Sequence, residues 1–228
     1  MSIDEYFGDW SKVIPRAELL KVLNILNDLY KTKRLCPLKS DVFKAFKLCS
    51  YNNLKAVFIG QDPYNNYINN KPVATGIAFA NKTDTLDSCL SPSLQVIKEA
   101  VINFELPHIC VNFVADLESW CNQGILMINT ALTCEEDKSG SHIELWSDFM
   151  RQLLINISKY NTGIVYVLFG REARRLIQYI GKYNIVLCYN HPAYYVRTNS
   201  RMPHRIFKEI NDSIERLNGT KIKFYEER

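Results

Sequence analysis

Four short apolar segments interrupt an otherwise mixed pattern of apolar and polar positions along the chain. They are KAVFIG (55–60), GILMIN (124–129), GIVYVLFG (163–170) and NIVLCYN (184–190). Each segment is continuously apolar instead of alternating, which is typical of parallel strands that are covered on both faces. The pattern therefore predicts four buried parallel strands.

The segments around these strands show a helical period of apolar residues. In residues 144–159, Leu145, Phe149 and Leu153 recur every four residues, and residues 204–217 carry a similar apolar face. Further helices are predicted over residues 17–30, 41–49, 93–103, 114–123 and 171–180. Strands that alternate with helices indicate the α/β class, and we predict a three-layer α/β/α sandwich around a four-stranded parallel sheet.

The organisation of the chain favours one domain. Its 228 residues contain no internal repeat, low-complexity run or long linker, and 47% apolar with 23% charged residues is ordinary for a globular protein. No apolar segment approaches the length of a membrane-spanning helix, so we expect no membrane partner. The N-terminal sequence MSIDEYFGDW is acidic and mixed, unlike a secretory signal.

The cysteines are scattered, and no two of them form a C-x-x-C pair. This spacing argues against a zinc ribbon, an iron–sulfur cluster or a disulfide framework, and it favours reduced thiols in an intracellular compartment. The seven cysteines are Cys36, Cys49, Cys89, Cys110, Cys121, Cys134 and Cys188.

The distribution of charge is more informative than the net charge of +4. Residues 189–208 contain the basic residues Arg197, Arg201, Arg205 and Lys208 and no acidic residue. Such a stretch suits a polyanion such as DNA, but by itself it is more typical of a solvated basic face.

Polar residues follow each apolar segment directly. Asp62 comes after the first segment, Asn129 ends the second, and His191 follows the fourth. Since the carboxyl ends of parallel strands share one edge of a sheet, these three side chains are predicted to converge there. An Asp-Pro pair is also a common turn, so Asp62 taken alone has an ordinary structural explanation.

Several motifs resemble those of the uracil-DNA glycosylases, in the main uracil-specific branch of their superfamily. They are GQDPY (60–64), ATGIAFA (74–80), PSL (92–94), W-x-x-QGILMINTALT (120–133), SH-x-x-x-W (141–146), VLFG (167–170) and HP (191–192). The resemblance implies a single domain over residues 1–228, with a helical part in 1–50 and a catalytic core in 54–217. It also implies hydrolysis of the uracil N-glycosidic bond in DNA, as in base excision repair, without a metal or cofactor.

The resemblance assigns roles to individual residues. Asp62 matches the catalytic aspartate that stabilises positive charge on the sugar, and His191 matches the histidine that donates to uracil O2. The remaining matches bind the base or its flanking phosphate. Asn129 reads N3–H and O4, Tyr64 excludes the thymine methyl, Phe79 stacks on the flipped base, Gln61 lines the pocket and Ser93 grips a phosphate. A core position for Phe79 and a helix N-cap for Ser93 are the structural alternatives.

The sequence departs from the family at three places. Asn65 stands where the family usually has histidine, and Arg171 replaces a small phosphate-binding residue. The family's serine- and leucine-containing loop after His191 becomes HPAYYV, so Tyr195 stands by position where the family has a leucine wedge. Tyr194 is the competing candidate for that role, and both tyrosines, with Arg197, are expected on the DNA side.

The expected partner is uracil-containing DNA, single- or double-stranded, bound by a monomer. We expect an intracellular location, in the cytoplasm or the nucleus, and the composition is compatible with a viral source; an inhibitor or replication partner stays open. A catalytically weak relative that serves as a DNA-binding or polymerase-associated scaffold is the alternative, as is a glycosylase with a broader base preference. Tyr64 and Asn129 argue against the broader preference, because they form the uracil filter.

Overall fold

The computed structural model describes residues 2–105 and 111–227, so Cys110 lies outside the described residues. Its central sheet contains β1 (Ala56–Gly60), β2 (Ile125–Asn129), β3 (Val165–Phe169) and β4 (Ile185–Tyr189). The strands are all parallel, in the order β2-β1-β3-β4. The predicted four-stranded parallel sheet is therefore confirmed.

The helices of the described residues surround this sheet. They are α1 (Ile3–Phe7), α2 (Arg16–Thr32), α3 (Lys44–Leu48), α4 (Pro92–Glu105), α5 (Glu118–Asn122), α6 (Ile143–Tyr160), α7 (Gly170–Arg174), α8 (Pro192–Arg197) and α9 (Arg205–Asn218). Short 3-10 helices occupy Gly8–Lys12, Lys39–Asp41, Tyr51–Asn53, Asp87–Cys89 and Arg175–Tyr179. Antiparallel pairs of two-residue strands join Leu35–Cys36 to Cys134–Glu135, Tyr67–Ile68 to Lys71–Pro72, and Val111–Asn112 to Glu226–Glu227.

Packing between the helices confirms the α/β/α arrangement. Helix α2 contacts α6, whereas α4 contacts α8 and α9. Every residue of β1, β2 and β3 is buried, as continuously apolar segments require, while the edge strand β4 is only partly buried. None of the helices in the described ranges combines the length and the apolarity that a membrane crossing needs.

The N-terminal residues pack into the same core as the sheet. Trp10 is fully buried, and its indole Nε1 donates a hydrogen bond of 2.6 Å to the carbonyl oxygen of Cys49. Its ring makes edge-to-face contacts with Phe46 and Tyr51, each at 5.1 Å between centroids. An indole that is buried and hydrogen-bonded in this way fixes the first helices against the start of β1.

Three helix predictions were wrong in extent. The segment predicted over 114–123 is helical only from Glu118, because Leu117 adopts a left-handed φ of 52°. Residues 41–49 form the shorter α3, and residues 171–180 divide into α7 and a 3-10 helix. The HPAYYV segment, treated as a loop, is instead the short helix α8.

Helix α8 begins at a proline for a simple reason. The Pro192 ring fixes φ at a helical value, and a missing N–H costs nothing at the first helical position. His191 precedes it as the N-cap, and its imidazole Nδ1 accepts a hydrogen bond of 3.2 Å from the backbone N–H of Ala193. The His-Pro pair thus starts a helix at the end of β4.

Candidate active site

A cleft of about 560 Å³ opens where the strands end. The predicted residues that line it are Gln61, Asp62, Tyr64, Phe79, Ser93, Asn129, Arg171, His191, Tyr194 and Arg197. This volume lies in the usual range of small-molecule sites. Residues that are far apart in sequence therefore meet around one cavity, as the strand-end pattern indicates.

The ends of β1 and β2 are in register, with Gly60 opposite Asn129. A Cβ on Gly60 would lie 2.4 Å from the Oδ1 atom of Asn129 and 2.9 Å from the Cζ atom of Phe79. The absence of a side chain at Gly60 therefore lets the carboxamide and the phenyl ring approach the floor of the cleft. Asn129 is only 8% exposed, so an unpaired polar group of a bound base would be costly there.

Hydrogen bonds hold the Asp62 carboxylate from three sides. Its Oδ2 atom accepts from the Ser139 hydroxyl at 2.9 Å and from the backbone N–H of Gly140 at 2.5 Å. Its Oδ1 atom accepts a longer bond of 3.2 Å from the side-chain amide of Gln61. All three groups donate, which suits an ionised carboxylate because it can only accept.

Gln61 connects the ends of two strands. Its backbone carbonyl oxygen accepts from the Thr130 hydroxyl at 2.6 Å and from the backbone N–H of Ala131 at 3.1 Å. The same residue carries the amide that reaches Asp62 and Ser139. The residue before the carboxylate is thereby fixed relative to the residues that follow Asn129.

His191 has a defined tautomer. Since its Nδ1 accepts from the N–H of Ala193, the ring hydrogen must sit on Nε2. Burial, together with the nearby positive charge of Arg197, lowers the pKa of His191 to about 4. A neutral imidazole with an Nε2–H donor therefore lines the cleft at neutral pH.

The titration of His191 gives a first testable prediction. We expect its imidazole resonance to titrate with a midpoint near pH 4 in an NMR experiment, and its signal to be assigned by its loss in His191→Gln. The folded pKa lies below the ordinary value of 6.5. Between those two values the unfolded chain binds a proton that the folded imidazole does not, so the contribution of His191 to the free energy of unfolding decreases as pH falls through that window. A midpoint at or above 6.5 would contradict the neutral donor.

Tyr64 and Phe79 form the aromatic walls of the cleft. The Tyr64 hydroxyl donates to the carbonyl oxygen of Phe79 at 2.9 Å, and burial raises the pKa of Tyr64 above its ordinary value, which keeps this donor protonated. Phe79 has a left-handed φ of 67°, a strained value for a bulky residue. Its ring lies 5.6 Å from the imidazole of His191, between centroids. Phe79 is thus buried, as a core residue would be, and yet it faces the cleft.

Three predicted DNA-binding residues stand on helices at the rim. Ser93 is buried and is the second residue of α4, so the alternative interpretation of Ser93 as the N-cap was wrong. Arg171 lies in α7, with 86% of its side chain exposed and an ion pair of 3.2 Å to Glu172. Arg197 is the last residue of α8. Two cations and a helix N-terminus therefore border the opening.

The positional preference for Tyr195 as the wedge is contradicted by its burial. Tyr195 is 8% exposed, belongs to the hydrophobic core and does not line the cleft. Tyr194 is 42% exposed and does line it, with its ring edge-to-face on Tyr195 at 5.4 Å between centroids. The physical reason is helix α8, in which successive side chains point about 100° apart.

Sequence reasoning missed Ser139, Gly140 and Thr130. The first two hold Asp62, and the third holds Gln61. A Ser-Gly pair beside the SH motif is compatible with any turn, so the sequence carries no signal for a contact that spans 77 residues.

The fold and the site together define an enzyme of the DNA-glycosylase class, since a carboxylate, a neutral imidazole and a carboxamide face one cleft at the strand ends. The model of the uracil DNA glycosylase superfamily matches residues 46–215, and the chain belongs to this superfamily. The family recognised from the motifs is thereby confirmed.

Similar proteins agree with this assignment. A uracil-DNA glycosylase of Mycoplasmopsis pulmonis is 37% identical over 201 residues, which cover 87% of this chain and 86% of the relative. One of Mesomycoplasma hyopneumoniae is 31% identical over 217 residues, covering 94% and 93%. The crystal structure of mimivirus uracil-DNA glycosylase shares the fold, with a TM-score of 0.73 at 23% identity over 99% of this chain and 94% of that chain.

Proposed function

We propose that this chain is a monofunctional uracil-DNA glycosylase that hydrolyses the bond between uracil and deoxyribose and leaves an abasic site. The observation that carries the proposal is the meeting of Asp62, Asn129 and His191 in one cleft, each at a strand end. No lysine stands in the cleft lining of the described residues, which favours water over an amine as the nucleophile.

Asp62 and His191 are proposed to stabilise opposite charges of the transition state. As the glycosidic bond breaks, positive charge builds on the sugar and negative charge on the uracil ring. The Asp62 carboxylate, held by three donors, stabilises the sugar cation and orients the attacking water. The Nε2–H of His191 donates to uracil O2, and a fixed donor needs no proton transfer to stabilise the leaving anion.

Base selection is proposed to rest on Asn129 and Tyr64. The Asn129 carboxamide can accept from uracil N3–H and donate to O4, a pattern that cytosine cannot match. The Tyr64 ring, fixed by its bond to the Phe79 carbonyl, excludes the C5 methyl of thymine. The Phe79 ring stacks on the base, and the Gln61 segment closes the pocket.

The rim residues are proposed to hold the DNA while the nucleotide is extruded. The target atom lies inside the base stack, so the nucleotide must leave the helix before reaction. Ser93 at the start of α4 and the cations Arg171 and Arg197 fit phosphate oxygens. Tyr194 is proposed to enter the vacated stack.

The proposed substrate is uracil-containing DNA, single- or double-stranded. The enzyme is proposed to act as a monomer in the cytoplasm or the nucleus. The cysteines of the described residues are free thiols, which supports a reducing compartment. A mimivirus UNG variant of similar fold, with a TM-score of 0.80 at 22% identity, is in complex with UGI. We infer that a protein partner of this kind binds the present chain.

The proposal is tested with oligonucleotides that carry one uracil, thymine or cytosine at the same position. We expect alkali-labile sites at uracil only, in both single- and double-stranded substrates, and an intact backbone before alkali treatment. Cleavage before alkali, or equal cleavage at thymine or cytosine, would contradict it.

Variants of the two tyrosines of α8 test which of them enters the base stack and which belongs to the core. We expect Tyr194→Ala to lower the rate on duplex uracil about tenfold with little change on single strands, since stacking of an aromatic ring on a base contributes about 1–3 kcal/mol. The measurement is single-turnover excision on matched substrates.

Tyr195→Ala is the matched control. Its main effect should be a loss of about 3 kcal/mol in the free energy of unfolding, because it removes a buried aromatic ring. Equal rate losses of Tyr194→Ala on duplex and single strands would exclude the wedge.

A further inference from the structure

The two oxygens of the Asp62 carboxylate are held differently. Oδ2 accepts two bonds, from the Ser139 hydroxyl and the Gly140 N–H, at 2.9 Å and 2.5 Å. Oδ1 accepts the longer bond of 3.2 Å from the Gln61 amide. Since each carboxylate oxygen has two lone-pair sites, Oδ1 keeps capacity for a further partner in the cleft.

The Ser139 hydroxyl has a fixed direction of donation. Asp62 can only accept, so the Ser139 hydrogen must point at Oδ2. The Gln61 Nε2 atom donates to the Ser139 oxygen at 3.1 Å, which occupies one of its lone pairs. The side chains of Gln61, Ser139 and Asp62 therefore form a closed network in which each donor has its acceptor.

Residues 136–141, which we call the bracing loop, present Ser139 from a defined position. The backbone N–H of Asp137 donates to the carbonyl oxygen of Asn65 at 2.9 Å, and the backbone N–H of Glu136 donates to the carbonyl oxygen of Arg34 at 2.9 Å. A hydrogen bond of 3.3 Å from the backbone N–H of Ser141 to the carbonyl oxygen of Lys138 closes the loop on itself. The loop is thus tied to the segment that follows Tyr64.

We propose that Ser139 is a positioning residue for the glycosylase reaction. Its hydroxyl, together with the Gly140 amide, anchors Oδ2 and leaves Oδ1 directed at the sugar carbon and the attacking water. This inference rests on the proposed function. Within the bracing loop, it assigns the orientation of the carboxylate to Ser139 and Gly140.

The effect of Ser139 belongs to the chemical step. Ser139 is exposed in the free protein, so its bond competes with water and adds little to the stability of the fold. When DNA covers the cleft, water is excluded and a charge-assisted hydrogen bond becomes stronger. A positioning role therefore changes kcat, with little change in KM or Tm.

The test begins with Ser139→Ala in the full chain. We expect kcat on a uracil oligonucleotide to fall about tenfold, the effect of losing one hydrogen bond to a charged group, while KM and Tm stay unchanged. Ser139→Thr, which keeps the hydroxyl, should restore most of the rate. An unchanged kcat in Ser139→Ala, or no rescue by threonine, would overturn the proposal.

Ser141→Ala is the control within the bracing loop. The Ser141 hydroxyl accepts from the backbone N–H of Glu135 at 2.9 Å, and among the described residues it makes no hydrogen bond to Asp62. We expect this variant to retain the wild-type kcat within about twofold, as surface changes usually do. An equal loss in both variants would assign the effect to the loop's integrity and overturn the specific role of Ser139.

A double variant shows whether Ser139 acts through Asp62. In an Asp62→Ala background, Ser139→Ala should lower the residual single-turnover rate by less than about twofold, because coupled residues are not additive. A full tenfold loss in that background would contradict action through the carboxylate. If the wild type releases no uracil the proposed function itself fails, whereas an active wild type with an undiminished Ser139→Ala variant refutes this inference alone.

Discussion

Asp62→Asn should lower the rate of uracil excision by about 10³-fold, which corresponds to about 4 kcal/mol of transition-state stabilisation. The asparagine keeps the size of the side chain and can still accept from Ser139, but it removes the negative charge that faces the sugar cation. Single-turnover excision at saturating enzyme measures the chemical step, and uracil-DNA affinity should change much less than the rate.

Asp137→Asn is the matched control for this substitution. It removes a negative charge from the bracing loop, and asparagine tolerates the left-handed φ of 58° that Asp137 adopts. Its rate should stay within about twofold of the wild type. If Asp62→Asn retained a tenth of the wild-type rate, the carboxylate would not be the principal catalytic group.

Asn129→Asp should lower uracil excision by about 10³-fold as well, for a different reason. A carboxylate cannot donate to uracil O4, and it places a negative charge in a buried site beside a ring that becomes anionic. The loss should appear both in the affinity for a uracil-containing oligonucleotide and in the rate. Excision measured over a series of enzyme concentrations separates the two effects.

Asn122→Asp makes the same change at an exposed position in α5 and should leave excision unchanged. A wild-type rate on uracil in Asn129→Asp would contradict the role of the carboxamide in base recognition. Thymine and cytosine substrates measured in parallel show whether the base preference has shifted.

The convergence of Asp62, Asn129 and His191 could be predicted because parallel strands impose it. Each residue ends or closely follows a continuously apolar segment, and strand ends in a parallel sheet share one edge. The register of Gly60 with Asn129 then follows from strand pairing. The sheet and most of the helices could also be predicted, because hydrophobic periodicity is a local signal.

The rest depends on contacts that no local pattern encodes. Whether Tyr194 or Tyr195 faces the cleft depends on the helix that starts at Pro192. Because the segment was expected to be a loop, the directions of its side chains could not be predicted. The left-handed backbone of Phe79 is sterically unfavourable, so propensity argues against it. The contact of Ser139 with Asp62 joins distant segments through a turn of ordinary composition.

The most direct test of the central claim is to measure free uracil released from a single-stranded oligonucleotide that contains one uracil, by chromatography with mass detection. We expect the wild type to release one equivalent of free uracil per abasic site formed, with an unbroken backbone, and Asp62→Asn to release almost none in the same time. A wild type that releases no free uracil, or an Asp62→Asn variant that releases it at the wild-type rate, would contradict the account.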